Sequence, residues 1–361
     1  MIQVLYTVNG LRVNGVSAVI MRYVEKLPKD KYEFTLFTDE IADEFKDRLS
    51  KNRVNVIQSE SRKKNQIAYY FELCRVIRKN HFDIIHAHGN SATIAIEMLA
   101  AKNCCVPVRI AHSHNTTCIH KSFDKLLRPL FYRTYTIGIG CGVEAGKWLF
   151  GNRAHQVIKN GVELQHFAYN EEYRKKIRTE LQIENCYVIG HIGRFTDQKN
   201  HNAILRIFNE YIKIHDARLL LVGDGPREEE VKELAKSMGL IDKVIFYGTT
   251  KDTAPLYSAM DVFLFPSKFE GVPLTLIEAQ ANGLPCTISD KISSEVNLTD
   301  LITIKKLENE SEWAECLSVD TGIRQSQSRK AITALTKHGF CIDDVIKQID
   351  DLYTTASQGL I

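Results

Sequence analysis

The sequence predicts an α/β protein built from two doubly wound parallel-sheet domains that face each other across a cleft. Three observations carry this expectation. Short apolar runs bounded by polar turns alternate with longer segments of helical period, the pattern of parallel sheets covered on both faces. The alternation falls into two series, parted by a charged stretch at residues 166–185. The 361 residues are enough for two domains of ordinary size, each with its own core.

In the first series, strands are expected at 2–8, 33–38, 54–58, 83–87, 107–112 and 136–141, with 156–159 closing it. Helices are expected at 16–27, 65–80, 91–102 and 121–134. The second series places strands at 187–192, 218–223, 243–247, 261–265 and 285–289. Its helices fall at 200–215, 226–239, 252–259 and 273–282. The expected domains are therefore 1–165 and 166–335, with 336–361 a helical segment that could pack back on either domain, the first being the one named here.

Composition narrows the class. No apolar run is long enough to cross a bilayer. Met1-Ile2-Gln3-Val4-Leu5-Tyr6 reads as an immediate strand, without the basic and apolar regions of a signal peptide. Nine cysteines form no paired ligand spacing, which favours reduced thiols in a cytoplasmic protein. Residues 1–165 carry 24 Lys and Arg against 15 Asp and Glu, a net +9, and the rest of the chain carries −6, giving +3 in all. A basic first half suits an anionic partner.

Ligands of doubly wound sheets sit at the carboxyl ends of the strands. After the strand ending at Ile192 comes Gly193-Arg194-Phe195-Thr196-Asp197-Gln198-Lys199-Asn200, a glycine followed by two cations suited to a diphosphate. Gly223-Asp224-Gly225-Pro226 follows the next strand and reads as a tight turn lining the cleft. Tyr247-Gly248-Thr249 ends the third strand. The fourth runs through Pro266-Ser267-Lys268-Phe269 into Glu270-Gly271-Val272-Pro273-Leu274-Thr275-Leu276-Ile277-Glu278. There Pro273 is expected in the first turn of the 273–282 helix, and Leu274, Leu276, Ile277, Ala279 and Ala281 are expected to bury one side of it. Glu270 lies at the helix mouth and Glu278 about a turn and a half inside, beside the open N–H groups of residues 274–275.

These four segments, in unbroken order over residues 187–290, strongly resemble the retaining glycosyltransferases of family 4, which have the GT-B fold of two Rossmann-like domains. The first half adds weaker matches. Gly15 resembles the first-loop glycine facing the sugar-nucleotide phosphates, although Asn14 stands where the family often has a second glycine. Asp83-Ile84-Ile85-His86-Ala87-His88-Gly89 matches a common strand-and-loop element. Arg109-Ile110-Ala111-His112-Ser113-His114-Asn115 resembles the strand end carrying a cleft histidine, with His114 the better fit and His112 the alternative. As metal ligands, His112 and His114 lack a third partner nearby in sequence.

The resemblance implies a nucleoside-diphosphate-sugar donor, UDP-sugar before GDP-sugar, and a saccharide or lipid-linked acceptor in cell-surface polysaccharide synthesis. It assigns Glu278 to the ribose hydroxyls, Glu270 to the donor sugar, and Tyr247, Gly248 and Thr249 to the base. The chain has no Asp-x-Asp, so Arg194, Lys199 and the helix N–H groups are expected to stabilise the leaving diphosphate with no metal and no cofactor. Two basic, apolar segments, Ser61-Arg62-Lys63-Lys64 leading into Ile67–Phe71 and Lys121 to Arg133, are candidate contacts for an anionic membrane, which would make the protein peripheral on its inner face. The competing readings are a sugar-nucleotide epimerase on the same fold and a non-enzymatic nucleotide-binding protein. A nicotinamide enzyme is disfavoured by the lack of Gly-x-Gly-x-x-Gly, and nucleic acid is discounted.

Overall fold

A computed structural model describes the chain except for residues 13, 63, 119–120, 320–321 and 360–361. Lys63, one of the basic residues singled out above, lies outside the described residues. Two compact units are formed, Met1–Gly161 with Ile342–Ile361, and Val162–Cys341. In the first, β1 (Ile2–Val8), α1 (Gly15–Lys26), β2 (Tyr32–Thr38), α2 (Asp43–Lys51), β3 (Asn55–Gln58), α3 (Gln66–Asn80) and β4 (Ile84–Gly89) alternate strictly. They are followed by α4 (Ala95–Asn103), β5 (Val108–Ser113), α5 (Lys121–Phe131), β6 (Ile137–Gly140), α6 (Val143–Phe150) and β7 (Gln156–Val157). The second unit opens with α7 (Glu171–Glu180), β8 (Tyr187–Ile192), α8 (His201–Tyr211), β9 (Ala217–Val222), α9 (Glu228–Ser237) and β10 (Val244–Gly248). It continues through α10 (Ala254–Ala259), β11 (Val262–Phe265), α11 (Leu274–Ala281), β12 (Cys286–Ser289), β13 (Ile302–Lys305), α12 (Glu310–Glu315) and α13 (Arg324–Lys337). The last helix, α14 (Ile342–Ser357), belongs to the first unit.

Both sheets are parallel. The first has the order β3-β2-β1-β4-β5-β6-β7 and the second β10-β9-β8-β11-β12-β13. Each therefore reverses direction once, between β1 and β4 and between β8 and β11, and a crevice opens at such a reversal beyond the strand ends. Alternation within β1 shows why both faces are covered. Val4, Tyr6 and Val8 join one core with α1 and with Val345, Ile349 and Tyr353 of α14. Leu5 joins the other, against Leu73 and Ile77 of α3 and Met98 of α4.

The charged stretch expected to link the domains is instead largely a helix of the second unit, and the boundaries fall at Gly161 and Ile342 rather than at 165 and 336. Asn170 caps α7 by accepting from the N–H groups of Glu172 and Tyr173. Arg174 and Arg178, one turn apart, then both reach the buried Asp261 at 2.6 and 2.5 Å. Asp261 also accepts from the Val188 N–H at 2.7 Å, so one carboxylate ties α7 to the start of β8. Polar composition conceals this burial because the helix docks through two arginines beside the single apolar Ile177. Four short elements, α2, α6, α12 and β13, were not expected; α2, for instance, buries only Phe45 and Leu49.

Candidate functional site

The loops after β8, β9 and β11 emerge from three neighbouring strands of the second sheet, at its reversal. They are stitched together by backbone. Gly193 N–H donates to Val222 C=O at 2.9 Å, Phe195 N–H to Asp224 C=O at 2.6 Å, and Arg227 N–H to Phe195 C=O at 3.1 Å. Gly223 and Gly225 adopt φ values of +136° and +154° to allow this, and a Cβ there would lie 2.4 Å from Gly193 O and 2.5 Å from Phe195 O. The Gly-Asp-Gly-Pro turn thus clamps the cationic loop. On the other side, Lys268 N–H donates to Gln198 C=O at 2.9 Å, and Asn200 Nδ2 to Pro266 C=O at 3.1 Å.

This stitching places Lys199 beside Glu270, with Nζ 2.8 Å from Oε1 and both side chains mostly buried. Lys199 Nζ also stands 4.4 Å from the centre of the Phe265 ring, a cation–π contact that fixes the side chain. Gly193 is required by this arrangement rather than by its φ. A Cβ there would meet His191 Nε2 at 2.8 Å and the Lys199 stem at 3.3 Å. Arg194 is exposed, and its guanidinium pairs with no described residue. The neighbouring cations Arg227 and Lys268 are both held by Asp197, at 2.9 and 2.6 Å.

Pro273 is the residue before α11, at φ −69° and ψ 126°, and not in its first turn as expected. An extended ψ at Pro273 delays the helix by one residue, so Leu274 is its first member. No side chain caps this end, and among the described residues the N–H groups of Leu274 and Thr275 have no acceptor. The helix is also not one-sided: residues 276–281 are all buried. Among them Glu278 is 9% exposed. Its Oε2 accepts from the phenol of the fully buried Tyr257 at 2.9 Å, and the same hydroxyl lies 3.1 Å from Thr275 C=O. Tyr257 was not singled out from sequence, since nothing local connects residues 21 positions apart. Tyr247, Gly248 and Thr249 stand at the end of the edge strand β10, where Gly248 takes φ +78° and its C=O accepts from Gly223 N–H at 2.8 Å.

In the first unit, Gly15 is the first residue of α1, and Asn14 caps that helix through Ser17 N–H at 3.0 Å. A Cβ on Gly15 would meet nothing within 4 Å, so no local clash explains the glycine. Beyond the reversal, β4 and β5 run side by side with His88 opposite His112. Four imidazoles consequently gather. His86 Nε2 lies 3.1 Å from His112 Nδ1, and His88 Nδ1 lies 2.8 Å from His114 Nε2. The pairs stack, with ring centres 4.2 Å apart for His86 over His88 and 4.1 Å for His112 over His114. His86 Nδ1 also meets the Tyr353 hydroxyl at 2.6 Å, which in turn meets Tyr6 at 3.0 Å. Burial holds His86, His88 and His112 well below the usual imidazole range, and brings His114 down to about 4.

His112 is completely buried within β5, whereas His114 lies just past the strand end and is half-buried. His112, the alternative, is therefore enclosed, and His114 is the less buried of the two, with its Nε2 engaged by His88 and its Nδ1 itself buried without a partner. The third ligand missing from the sequence does exist in space: one nitrogen from each of His86, His88 and His112 falls within 4.8 Å of the others. A metal needs lone pairs that converge, whereas stacked parallel rings carry theirs side by side, and five of the eight nitrogens in the quartet are already engaged in hydrogen bonds.

The chain matches two family descriptions, Glycosyltransferase Family 4 over residues 13–139 and Glycosyl transferases group 1 over residues 173–299. A Bacillus subtilis protein named as a glycosyltransferase, EpsF, is 33% identical over 88% of this chain and 87% of its own. The UDP-Gal:alpha-D-GlcNAc-diphosphoundecaprenol alpha-1,3-galactosyltransferase of Escherichia coli is 26% identical over 77% of this chain and 76% of its own. Among solved structures, Anabaena HepE in complex with UDP-glucose superposes with a TM-score of 0.83 at 17% identity, over 98% of this chain and 100% of that one. The chain belongs to the family 4, group 1 glycosyltransferases. Its two parallel-sheet units have the GT-B fold.

Proposed function

We propose that this enzyme transfers a hexose or related sugar from a UDP-sugar to a saccharide or lipid-linked saccharide, with retention and without a metal, in the synthesis of a cell-surface polysaccharide. The observation that carries the proposal is the ion pair of Lys199 with Glu270, in the loop that leads into the uncapped start of α11, at the reversal of the second sheet. Support for the donor and acceptor classes comes from the proteins compared above. HepE has been solved with UDP and with UDP-glucose. The E. coli relative is named for a diphosphoundecaprenol-linked acceptor.

Without ligand, Lys199 and Glu270 neutralise each other. An arriving diphosphate competes for Lys199, with Arg194 as a second, unpaired cation and the Leu274 and Thr275 N–H groups as donors at the positive helix end. Glu270 is thereby released to accept from hydroxyls of the donor sugar, while Glu278, oriented by Tyr257, accepts from the ribose. As the glycosidic bond breaks, the same cations and N–H groups hold the growing charge on the phosphate. The leaving phosphate takes the acceptor's proton, so no protein base is needed. Exposed Ile67, Phe71, Phe123 and Leu126, near Arg75, Lys121 and Lys125, offer the first unit a surface for an anionic bilayer. Failure to float with anionic vesicles at physiological salt would remove that last element.

Thermal shift with UDP- and GDP-sugars, followed by turnover in excess chelator, tests the core of the proposal. UDP-sugars should raise the melting temperature, activity should persist in chelator, and Lys199→Ala should lower turnover by about a hundredfold or more. Loss of activity in chelator with recovery on adding Mg²⁺ or Mn²⁺, or near-normal turnover of Lys199→Ala, overturns it.

A further inference from the structure

We propose that Arg324 is a positioning residue for the donor site: its guanidinium caps the carboxyl ends of α10 and α11 together and so keeps the Tyr257 phenol on Glu278. The proposal rests on the reading that Glu278 takes the ribose hydroxyls. It adds to that reading a buried residue that belongs to none of the site loops.

Arg324 is the first residue of α13 and is 2% exposed. Its Nη1 donates to Met260 C=O, and its Nη2 to Tyr257 C=O at 2.6 Å and to Asn282 Oδ1 at 2.5 Å. Met260 and Asn282 are the C-cap residues of α10 and α11, so one side chain takes up the open, partly negative ends of both helices. The dipole of its own helix disfavours a cation at this first position. Asp261, shared by Arg174 and Arg178, makes no ion pair with it among the described residues. Burying such a charge without a carboxylate is costly. The offset comes from the two helix ends and from the Tyr169 ring, whose centre lies 5.2 Å from the guanidinium carbon. The charge thus serves the placement of α10 and α11.

Tyr257 is held at both ends. Its C=O accepts from Arg324, and its hydroxyl meets Glu278 Oε2 at 2.9 Å and Thr275 C=O at 3.1 Å. Tyr257 lies on α10, and Glu278 and Thr275 on α11, so this contact lasts only while the two helices keep their mutual position. One turn beyond Glu278, Asn282 Nδ2 donates to Ser258 Oγ of α10 at 3.1 Å, while Asn282 Oδ1 is fixed by Arg324. The close approach of α13 is built in. Gly283 adopts φ +71°, and a Cβ there would lie 2.6 Å from both Arg324 O and Ser328 N. Ser328 Oγ donates to Ala281 C=O at 2.7 Å, a further open carbonyl at the end of α11.

Calorimetric titration of the full-length protein with UDP tests the proposal without an acceptor. Arg324→Met should weaken UDP about tenfold, as should Tyr257→Phe. The double variant should lose no more than either alone, because both substitutions remove the same support of Glu278. A residue that merely stabilises the unit would act independently of Tyr257, and the losses would multiply to about a hundredfold. With a UDP-sugar donor, KM should rise while turnover at saturation changes far less. Wild-type affinity in Arg324→Met, or a hundredfold loss in the double variant, would overturn the proposal. No binding of UDP to the wild type, or undiminished binding to Glu278→Ala, would instead defeat the reading beneath it. Should Arg324→Met fail to fold, Arg324→Lys takes its place. The lysine cannot reach all three acceptors, so it should weaken UDP about threefold alone and leave the affinity of Tyr257→Phe unmoved. Equal affinity of Arg324→Lys and wild type, or a threefold loss that persists in the Tyr257→Phe background, would then decide against it.

Discussion

At the scale of single residues, the chemistry of the second unit depends on groups that support others. Glu278 was legible from sequence as an acid inside a helix, but its orientation comes from Tyr257, whose phenol reaches Oε2 at 2.9 Å from a different helix. Burial drives the Tyr257 hydroxyl well above its ordinary range, so it stays a donor at every working pH. Tyr257→Phe removes one bond to a charged oxygen and leaves the packing intact. On the proposed role of Glu278 at the ribose, the donor KM should rise about tenfold with kcat changed far less, because such a contact would hold the nucleotide in ground and transition state alike. A fall in kcat with KM unchanged would place Glu278 in the chemical step instead. The same limit on sequence reading applies to the imidazole quartet. His86 and His88 lie 26 residues from their partners and meet them only through the register of β4 on β5.

At the scale of elements, the strand–helix alternation and the cationic, glycine and acidic loops were all readable, because each depends on a local period or on a few adjacent residues. What was not readable depended on distant partners. The run around Arg174 and Arg178 looks like a solvated linker until Asp261, more than 80 residues on, is placed beside it. The glycines at 223 and 225 read from sequence as a tight turn, but what that turn clamps appears only when the carbonyls of Gly193 and Phe195 are seen against them. Asp261 offers the sharper test. Its carboxylate is 4% exposed and serves two guanidiniums and a backbone N–H. Asp261→Asn keeps the shape but leaves two poorly solvated cations without a counter-charge. The second unit should lose about 3 kcal/mol in chemical denaturation, the usual cost of removing one member of a buried pair. An unmoved midpoint would mean that the carbonyls of residues 258–260, which also accept from Arg174, hold the arginines unaided.

At the scale of the whole molecule, the histidines set the response to acid. His86, His88, His112 and His114 in the first unit, and His191 and His201 in the second, are all held below the ordinary imidazole range, chiefly by burial. Burial brings His114 down to about 4 and His201 to about 3. A depressed histidine is bare in the folded chain while its unfolded counterpart takes up a proton below about pH 6.5. Unfolding therefore binds protons in this window, and stability must fall as pH falls. Above about 6.5 both states are neutral and the effect vanishes. Each such residue removes about 1.4 kcal/mol of stability per pH unit until its folded form also titrates. Since both units carry such groups, neither should be spared. Thermal unfolding followed from pH 8 to pH 4.5 should show a flat melting temperature down to about 6.5 and a steep decline below it. Calorimetry in buffers of different ionisation heat should find several protons taken up on unfolding at pH 5.5. A melting temperature that holds level to pH 5, or an uptake near zero, would mean that water reaches these rings and that the buried imidazoles are not kept neutral by the fold.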